Sequence, residues 1–597
     1  MNPNQYLLIF TIGPVQSFIA QARKTRDLYA GSSLLSKLCQ KAAKLACSQY
    51  EASMIFPTRE QIDDESVSVS LPNRFVALVN SAEVGKKLED CVKNEFRTSV
   101  LSSISKHGAP FAGVAPQVED FLRVYWASLP LSGYDYNTAY NRVSGWLDAA
   151  KNTRVFKQVP SSDRKCSLCG EYAAMFLYSS EPDVEKLRQF MKRFHGEAIN
   201  LKQKVSPIAM TEREGLCAIC FYKRFDQTPY NEGFDSTAKI ALLYSLSKLK
   251  DQKILEIYQN SLRAQNSSDK RFDEQLYFEE NLTQHYLDKN GVTLQKSLHE
   301  LRVDRSKIEE KIKTEGGGFC RYYALVMLDG DDMGKWVAGE WLQDKSESKN
   351  FHQHISQQLC DYAKRVRAIF DKETIGKLVY AGGDDVLAFI NLACLFDTLA
   401  ALFHTFPSFG EGLRKATPSC GVVVAHYKTP LSEVMKWAKR MEELAKSLTG
   451  KHAIGIALMT HSGAITQTVF RHRHLQTLQD LIAKLHTHFN DSFLFNFRQE
   501  FFKAFDNQKL NATYDNEMYV AMMLAELKRL MLRSRIDHSE QAEKSITDFV
   551  ATKVQPLLIE QIQEDDSEYS LAIDNFASFF EVARFFAQNV WHPNKKA

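Results

Sequence analysis

The chain lacks a surplus of either charge. Its 597 residues carry 75 Lys and Arg against 72 Asp and Glu, a net of +3. That balance excludes a strong overall basic field, so any contact with RNA must come from local basic patches or from partner subunits. The chain also lacks an apolar run long enough to span a bilayer. Tyr6–Ile12 is too short, and too quickly followed by Gly13-Pro14, to act as a signal peptide. These absences point to a cytoplasmic protein with no membrane partner. A disulfide framework is missing as well. Of eleven cysteines, Cys39, Cys47, Cys91, Cys320, Cys360, Cys394 and Cys420 are scattered singly in apolar or helical contexts and read as small buried hydrophobes.

At this length several domains are expected. Strand-like Tyr6–Ile12 is followed by a helical pattern opened by Pro14, with Val15, Phe18, Ile19 and Ala22 at helical spacing. Strands at Ser53–Phe56 and Arg74–Val79, a helix from about Val84 to Lys106 and a strand near Phe121–Ala127 complete a β-α-β-β-α-β order, as in a ferredoxin-like or palm domain. A helical stretch, 226–312, is interrupted by a polar break at Asn266–Asp269. Gly316-Gly317-Gly318 reads as a linker.

A second such order then begins. It runs through strand Tyr322–Leu328, helix His352–Phe370, hairpin Lys377–Ile390, helix Phe396–Phe403 and strand Gly421–Ala425. Next comes a helix with one apolar face from Leu431 to Leu448, and then strand Ala453–Met459. Beyond Ser462 the pattern is helical, including Met518–Met531 and Leu571–Phe586. The expected fold class is α+β. It comprises a first, non-acidic ferredoxin-like palm (1–225) with an insert at about 160–222, a helical linker domain (226–315), a second palm (316–465) and a C-terminal helical bundle (466–597).

The hairpin carries Gly382-Gly383-Asp384-Asp385 at its tip, and strand Tyr322–Leu328 ends on Asp329-Gly330-Asp331-Asp332. Gly382 and Gly383 allow a tight turn and close backbone approach to a phosphate. Like charges about 4 Å apart repel by roughly 4 kcal/mol even at an effective dielectric near 20, more than exposed salt bridges offset. Divalent cations do offset it, and oxygen-only ligands favour Mg²⁺ or Mn²⁺. Asp329 and Asp384 are the expected catalytic metal ligands, with Gly330 adding a carbonyl. Asp331, two residues from Asp329 on a strand, is placed on the same face. Asp385 is either a further ligand or the group that helps deprotonate an attacking hydroxyl. Asp332 either joins them or faces solvent. Lys335, Lys446 and Lys451 are candidates for nucleotide phosphates, or ordinary surface lysines. Either tetrapeptide alone is often just a hairpin tip or a polar loop. Their joint placement points to two-metal nucleotidyl transfer from a nucleoside triphosphate.

The remaining cysteines form two matched pairs, Cys166-Ser-Leu-Cys169 and Cys217-Ala-Ile-Cys220. Four thiolates suit a closed tetrahedral zinc site. Two redox pairs or free core cysteines are the alternatives, and neither explains the matched spacing.

Together these segments resemble the large subunit of type III-B (Cmr-type) CRISPR effector complexes. The resemblance rests on Ile12–Ile19, Ala22–Ser32, Leu71–Phe75, both cysteine pairs, Leu328–Lys335 and Gly382–Asp385. It implies two palm domains, a structural zinc, and partners comprising the other complex subunits, guide RNA and target RNA. It also implies target-RNA-gated conversion of ATP to cyclic oligoadenylates, serving antiviral defence. By the family pattern Ser419 touches an adenine; a core or turn serine is the other reading. Many relatives begin with an HD nuclease domain, whereas this sequence opens at the first palm and has no His-Asp dipeptide, so DNA cleavage is not expected. Rival readings are an ATP-binding scaffold without turnover, a stand-alone cyclic-dinucleotide synthase and synthesis of another AMP conjugate. Arg23, Lys24, Arg26 and the run Arg471–His474 are basic candidates for guide RNA, or solvated faces.

Overall fold

In the computed structural model of the protein, the described residues are 5–64, 71–106, 113–153, 164–177, 197–198, 210, 214–226, 235–262, 272–290, 292, 294–315, 318–409, 415–489, 516–564 and 569–590. The polar break at 266–269 and the first two glycines of the expected linker lie outside them.

The first palm is a four-stranded antiparallel sheet of β1 (Tyr6–Gly13), β2 (Ser53–Phe56), β3 (Arg74–Val79) and β4 (Arg123–Pro130), in the order β2-β3-β1-β4. The helical pattern after Pro14 stops at Ala20, and the long helix starts afresh at Thr25 and runs to Gln49. Phe121 closes a helix, Val114–Phe121, so the strand expected near Phe121–Ala127 is displaced to Arg123–Pro130.

The cysteine insert carries a small sheet of β5 (Phe176–Leu177), β6 (Glu197–Ala198) and β7 (Gly215–Leu216). Gln117, fully buried, donates to the Ala173 carbonyl and accepts from the Ala218 amide, tying both cysteine loops to the first palm. The insert is also clamped to the N-terminal segment. Arg224, on helix Ala218–Phe225, makes a bidentate pair with Asp27 at 2.7 and 2.8 Å, both side chains fully buried. Lys223 donates to the carbonyls of Phe18 and Gln21.

The second palm repeats the design. Its strands are β8 (Tyr322–Gly330), β9 (Gly376–Gly382), β10 (Asp385–Asn391), β11 (Pro418–His426), β12 (Ala453–Met459) and β13 (Ile465–Arg471), in the order β13-β12-β11-β8-β10-β9. The four strands β11-β8-β10-β9 follow the arrangement of β4-β1-β3-β2, so the architectural repeat is real. β13 corrects the helical expectation beyond Ser462 and carries the sheet past the expected boundary at 465. Its sequence, Ile-Thr-Gln-Thr-Val-Phe-Arg, alternates, with Thr468 and Phe470 buried and their neighbours less so.

Both faces of this sheet are covered, which is why its central strands read as continuous apolar runs. One face (Val326, Leu328, Ala388, Val422, Ile456) packs on helices Ser348–Phe370 and Leu395–Thr405 and on the C-terminal helices, among them Leu475–His488 and Tyr569–Asn589. The other face (Leu325, Phe389, Val423, Ala457) packs on helix Leu431–Ser447 and on Ile19, Ala22 and Leu28 of the first palm. The palms therefore share a core. Between them in sequence, helices Thr237–Lys248, Gln252–Asn260, Gln284–Asn290 and Leu298–Thr314 build a separate cluster around Leu242, Tyr277 and Ile308. Among the described residues no helix is long and apolar enough to cross a membrane.

Candidate active site

The β9–β10 hairpin turns through Gly383 and Asp384, with Gly382 paired to Asp385. Gly383 sits at φ +68°, a left-handed conformation that glycine adopts without strain. The turn lies beside the end of β8. A Cβ on Gly330 would stand 2.7 Å from Met333 Cγ and 3.0 Å from the Asp384 carboxylate, so glycine here lets the hairpin tip close on the strand.

The result is one cluster. Asp329, Asp384 and Asp385 each offer a carboxylate oxygen within 4.8 Å of the others, and all three are half-buried. Burial pushes Asp384 up to about 6, against the opposing pull of its own and the Gly330 backbone amides, while the nearby Glu442 raises it further. Asp385 is held well above the usual carboxylate range by burial, by the Asp384 charge and by Glu442. Three crowded carboxylates, two of them raised by burial and neighbouring acids, are a donor set for a hard divalent cation such as Mg²⁺ or Mn²⁺.

Asp331 does not join the cluster. β8 ends at Gly330, so strand alternation no longer applies, and the Asp331 amide bonds instead to the Thr417 carbonyl at 2.8 Å. Its Oδ2 accepts from Thr417 Oγ1 at 2.8 Å, Ser419 Oγ at 3.1 Å and the His452 amide at 3.0 Å. Asp331 is thus a buried brace across three loops, correcting its reading as a metal ligand. Ser419 donates to Asp331, accepts from the Ala453 amide and is fully buried, leaving no surface for the expected adenine contact.

The lysines divide. Lys335 and Lys451 both reach Asp332 Oδ1, at 3.4 and 2.9 Å, so Asp332 is a paired anion and not a solvated one. Lys446 contacts Asp329 Oδ2 and lies 3.1 Å from Glu442 Oε1, placing one ammonium inside the carboxylate cluster. Burial, with Lys451 alongside, lowers Lys446 to about 8.

Glu442 escaped sequence reading. It is 2% exposed on helix Leu431–Ser447, and no local motif marks it. The available signal was a charged residue on an apolar helix face. Two glycines seat that helix. A Cβ on Gly421 would lie 2.2 Å from the Ala438 carbonyl oxygen and one on Gly455 would lie 2.5 Å from that of Met441.

The corresponding strand end of the first palm is neutral. There the Ile12 amide donates to the Asn73 carbonyl, and the Asn73 side chain donates to the Ile12 carbonyl. The basic candidates are largely absorbed by the fold. Arg23 lies 3.4 Å from Glu214, and burial, with Arg224 nearby, lowers Lys24 to about 7. Glu560 takes Arg471, Arg473 and His474 together.

Cys166, Cys169, Cys217 and Cys220 converge with their sulfurs within 4.8 Å, as the matched spacing predicts. Cys217 caps helix Ala218–Phe225, accepting from the Cys220 amide at 3.4 Å, and the Leu168 amide donates to Cys166 at the same distance. Amides aimed at sulfur suit thiolates, and an all-sulfur set suits zinc.

Residues 322–455 match the family model for the Cas10/Cmr2 second palm domain, and residues 7–105 match that for the N-terminal part of CRISPR-associated protein Cmr2. A curated relative, the CRISPR system Cmr subunit Cmr2 of Pyrococcus furiosus, is 26% identical over 570 residues, covering 77% of this chain and 62% of its own length. The chain thus spans less than two thirds of that relative. Among solved structures, the type III-B Cmr-beta complex bound to cognate target RNA contains a chain of similar fold. Its TM-score is 0.61 at 14% identity, over 90% of this chain and 79% of that one. The apo Cmr-beta complex gives 0.59 at 14% identity, over 90% and 78%. With a segment of each palm matched by a Cmr2 model and the fold shared across most of its length, the chain is similar throughout to the Cmr2 large subunits of type III-B CRISPR complexes.

Proposed function

We propose that the second palm is a nucleotidyltransferase that joins ATP molecules into cyclic oligoadenylates when its effector complex, carrying guide RNA, pairs with target RNA. The observation that carries this reading is the convergence of Asp329, Asp384 and Asp385 with Lys446 among them. Mere scaffolding gives no reason to crowd three acids at a strand end.

Asp329, Asp384 and Asp385 would hold Mg²⁺ or Mn²⁺, which supplies charge neutralisation at the triphosphate and activation of the attacking hydroxyl. The Gly382-Gly383 backbone leaves room for phosphate oxygens to approach. Lys446 faces the same space and neutralises phosphate charge. Lys335 and Lys451, anchored on Asp332, border it. Helix Thr25–Gln49 of the first palm packs on β9, so the neutral palm forms a wall beside the acidic one and would position the acceptor nucleotide. The four cysteines would hold a structural zinc.

The test assembles the complex with guide and target RNA, adds Mn²⁺ or Mg²⁺ and α-labelled ATP, and identifies products by mass. Cyclic oligoadenylate made only with target RNA supports the proposal. A doubly substituted Asp384→Ala, Asp385→Ala protein that makes as much product as the unaltered one removes the site assignment. A mass corresponding to AMP joined to another small molecule replaces the product.

A further inference from the structure

Glu442 is a buried acid whose role the site description leaves open. Its two oxygens are divided, Oε2 at 2.8 Å from Lys439 Nζ and Oε1 at 3.1 Å from Lys446 Nζ. Lys439 and Lys446 differ in what lies beyond them. Lys439, Glu442 and Lys446 lie on one face of the helix; Lys439 is partly exposed and its charge bears on Asp385, whereas Lys446 continues from Glu442 into contact with Asp329. Glu442 thus sits between two lysines at the edge of the metal-binding carboxylates.

Glu442 is also fixed in place more firmly than a surface acid. Its backbone amide nitrogen would lie 2.5 Å from a Cβ on Gly421, so the helix turn that bears it rests directly on the backbone of β11. Met441 beside it rests on Gly455 in the same way, and Gly421 and Gly455 face each other in the parallel β11–β12 pair. A flexible lysine loses rotamer freedom when its ammonium is held in one place. A buried, backbone-seated carboxylate one helical turn away restricts it in advance.

We propose that Glu442 is a positioning residue that holds the Lys446 ammonium at the rim of the carboxylate cluster, where it meets the triphosphate of the metal-bound nucleotide. This rests on the nucleotidyltransferase reading above. Glu442 touches neither nucleotide nor metal. The effect that runs through Lys446 requires that lysine and a polyphosphate ligand, whereas the Glu442 charge on Asp384 and Asp385 is felt alike by AMP and ATP bound with metal.

The experiment uses the full-length chain and its Glu442→Gln, Lys446→Met and doubly substituted forms, each first checked for an unchanged thermal transition and zinc content. Reactivity of the Lys446 amine towards an acylating reagent is read by peptide mass spectrometry without nucleotide. Binding of a non-hydrolysable ATP analogue with Mn²⁺, and of AMP with Mn²⁺, is read by calorimetry. Glu442→Gln is expected to raise Lys446 labelling several-fold and to weaken ATP-analogue binding about tenfold relative to AMP binding, which reads any change at Asp384 and Asp385. In the Lys446→Met background, Glu442→Gln is expected to leave the ratio of ATP-analogue to AMP binding unchanged. Unchanged labelling, equal losses for AMP and ATP analogue, or a further fall of that ratio in the double variant would each overturn the role of Glu442. Failure of the unaltered chain to bind the ATP analogue with Mn²⁺ would instead overturn the nucleotidyltransferase reading itself.

Discussion

Gly421 and Gly455 face each other across the parallel strands β11 and β12, and neither has room for a methyl group beneath helix Leu431–Ser447. The atoms in the way are backbone carbonyls and an amide, which cannot swing aside as a side chain can. Gly421→Ala should therefore lift the helix off the sheet at a cost of about 3 kcal/mol. A thermal melt should show the loss of stability, and Mn²⁺-dependent nucleotide binding should fall with it because Glu442 and Lys446 ride on that helix.

Gly330→Ala should behave differently. The obstructing atoms belong to side chains, Met333 Cγ and the Cβ and carboxylate of Asp384, and the Asp384 side chain must shift to admit a methyl group. The expected outcome is a nearly unchanged melting temperature with Mn²⁺ affinity reduced at least tenfold, measured by calorimetry. A variant retaining full affinity would show that Asp384 need not sit against β8.

Neighbouring acids in the Asp-Gly-Asp-Asp segment should also separate. Asp331→Ala leaves the Thr417 and Ser419 hydroxyls and the His452 amide without their shared acceptor, at about 1–3 kcal/mol for a buried donor left unpaired. Its Tm should drop clearly. Asp329→Ala removes one of three crowded like charges, so its Tm should hold or rise while metal binding is lost. Equal melts for the two variants would contradict the brace role of Asp331.

Removing the proposed zinc with a chelator should loosen more than the cysteine loops. Helix Ala218–Phe225, capped by Cys217, carries Lys223 and Arg224 into the N-terminal segment, and an uncompensated Asp27 would be costly to keep buried. Limited proteolysis should then cut near Gln21–Lys24 as well as within the insert. Cys217→Ser should reproduce the pattern.

His426 supplies a pH signature. Burial, with His461 and Lys428 nearby, holds its imidazole down to about 4, against about 6.5 in an unfolded chain. The unfolded chain therefore takes up a proton that the folded one refuses. This contribution to stability is fully present above about pH 6.5 and lost as pH falls towards 4. His426→Phe should flatten the Tm-versus-pH curve across that window.

What the sequence disclosed follows the range of the interactions involved. The Gly-Gly-Asp-Asp turn and the cysteine pairs are local patterns, and their geometry emerged as read. Short apolar runs and helical periodicity located the strands and helices of both palms for the same reason. Asp331 was misread because a strand's alternation stops where the strand stops, and Gly330 is its last residue. The run Arg471–His474 looked free because Glu560, which gathers three of its members, is nearly ninety residues away. Glu442 was marked only as a charge on an apolar helix face, because Asp329, which it reaches through Lys446, lies on a strand more than a hundred residues earlier.

Ile19, Ala22 and Leu28 belong to the N-terminal half by sequence, yet their side chains finish the oily interior of the later half. A fragment cut out to begin near Gly318 would leave Leu325, Phe389 and Val423 partly uncovered, inviting aggregation. The halves must be inherited and expressed as one piece. Moving the N-terminal helices would disturb the packing under the sheet that carries the acids.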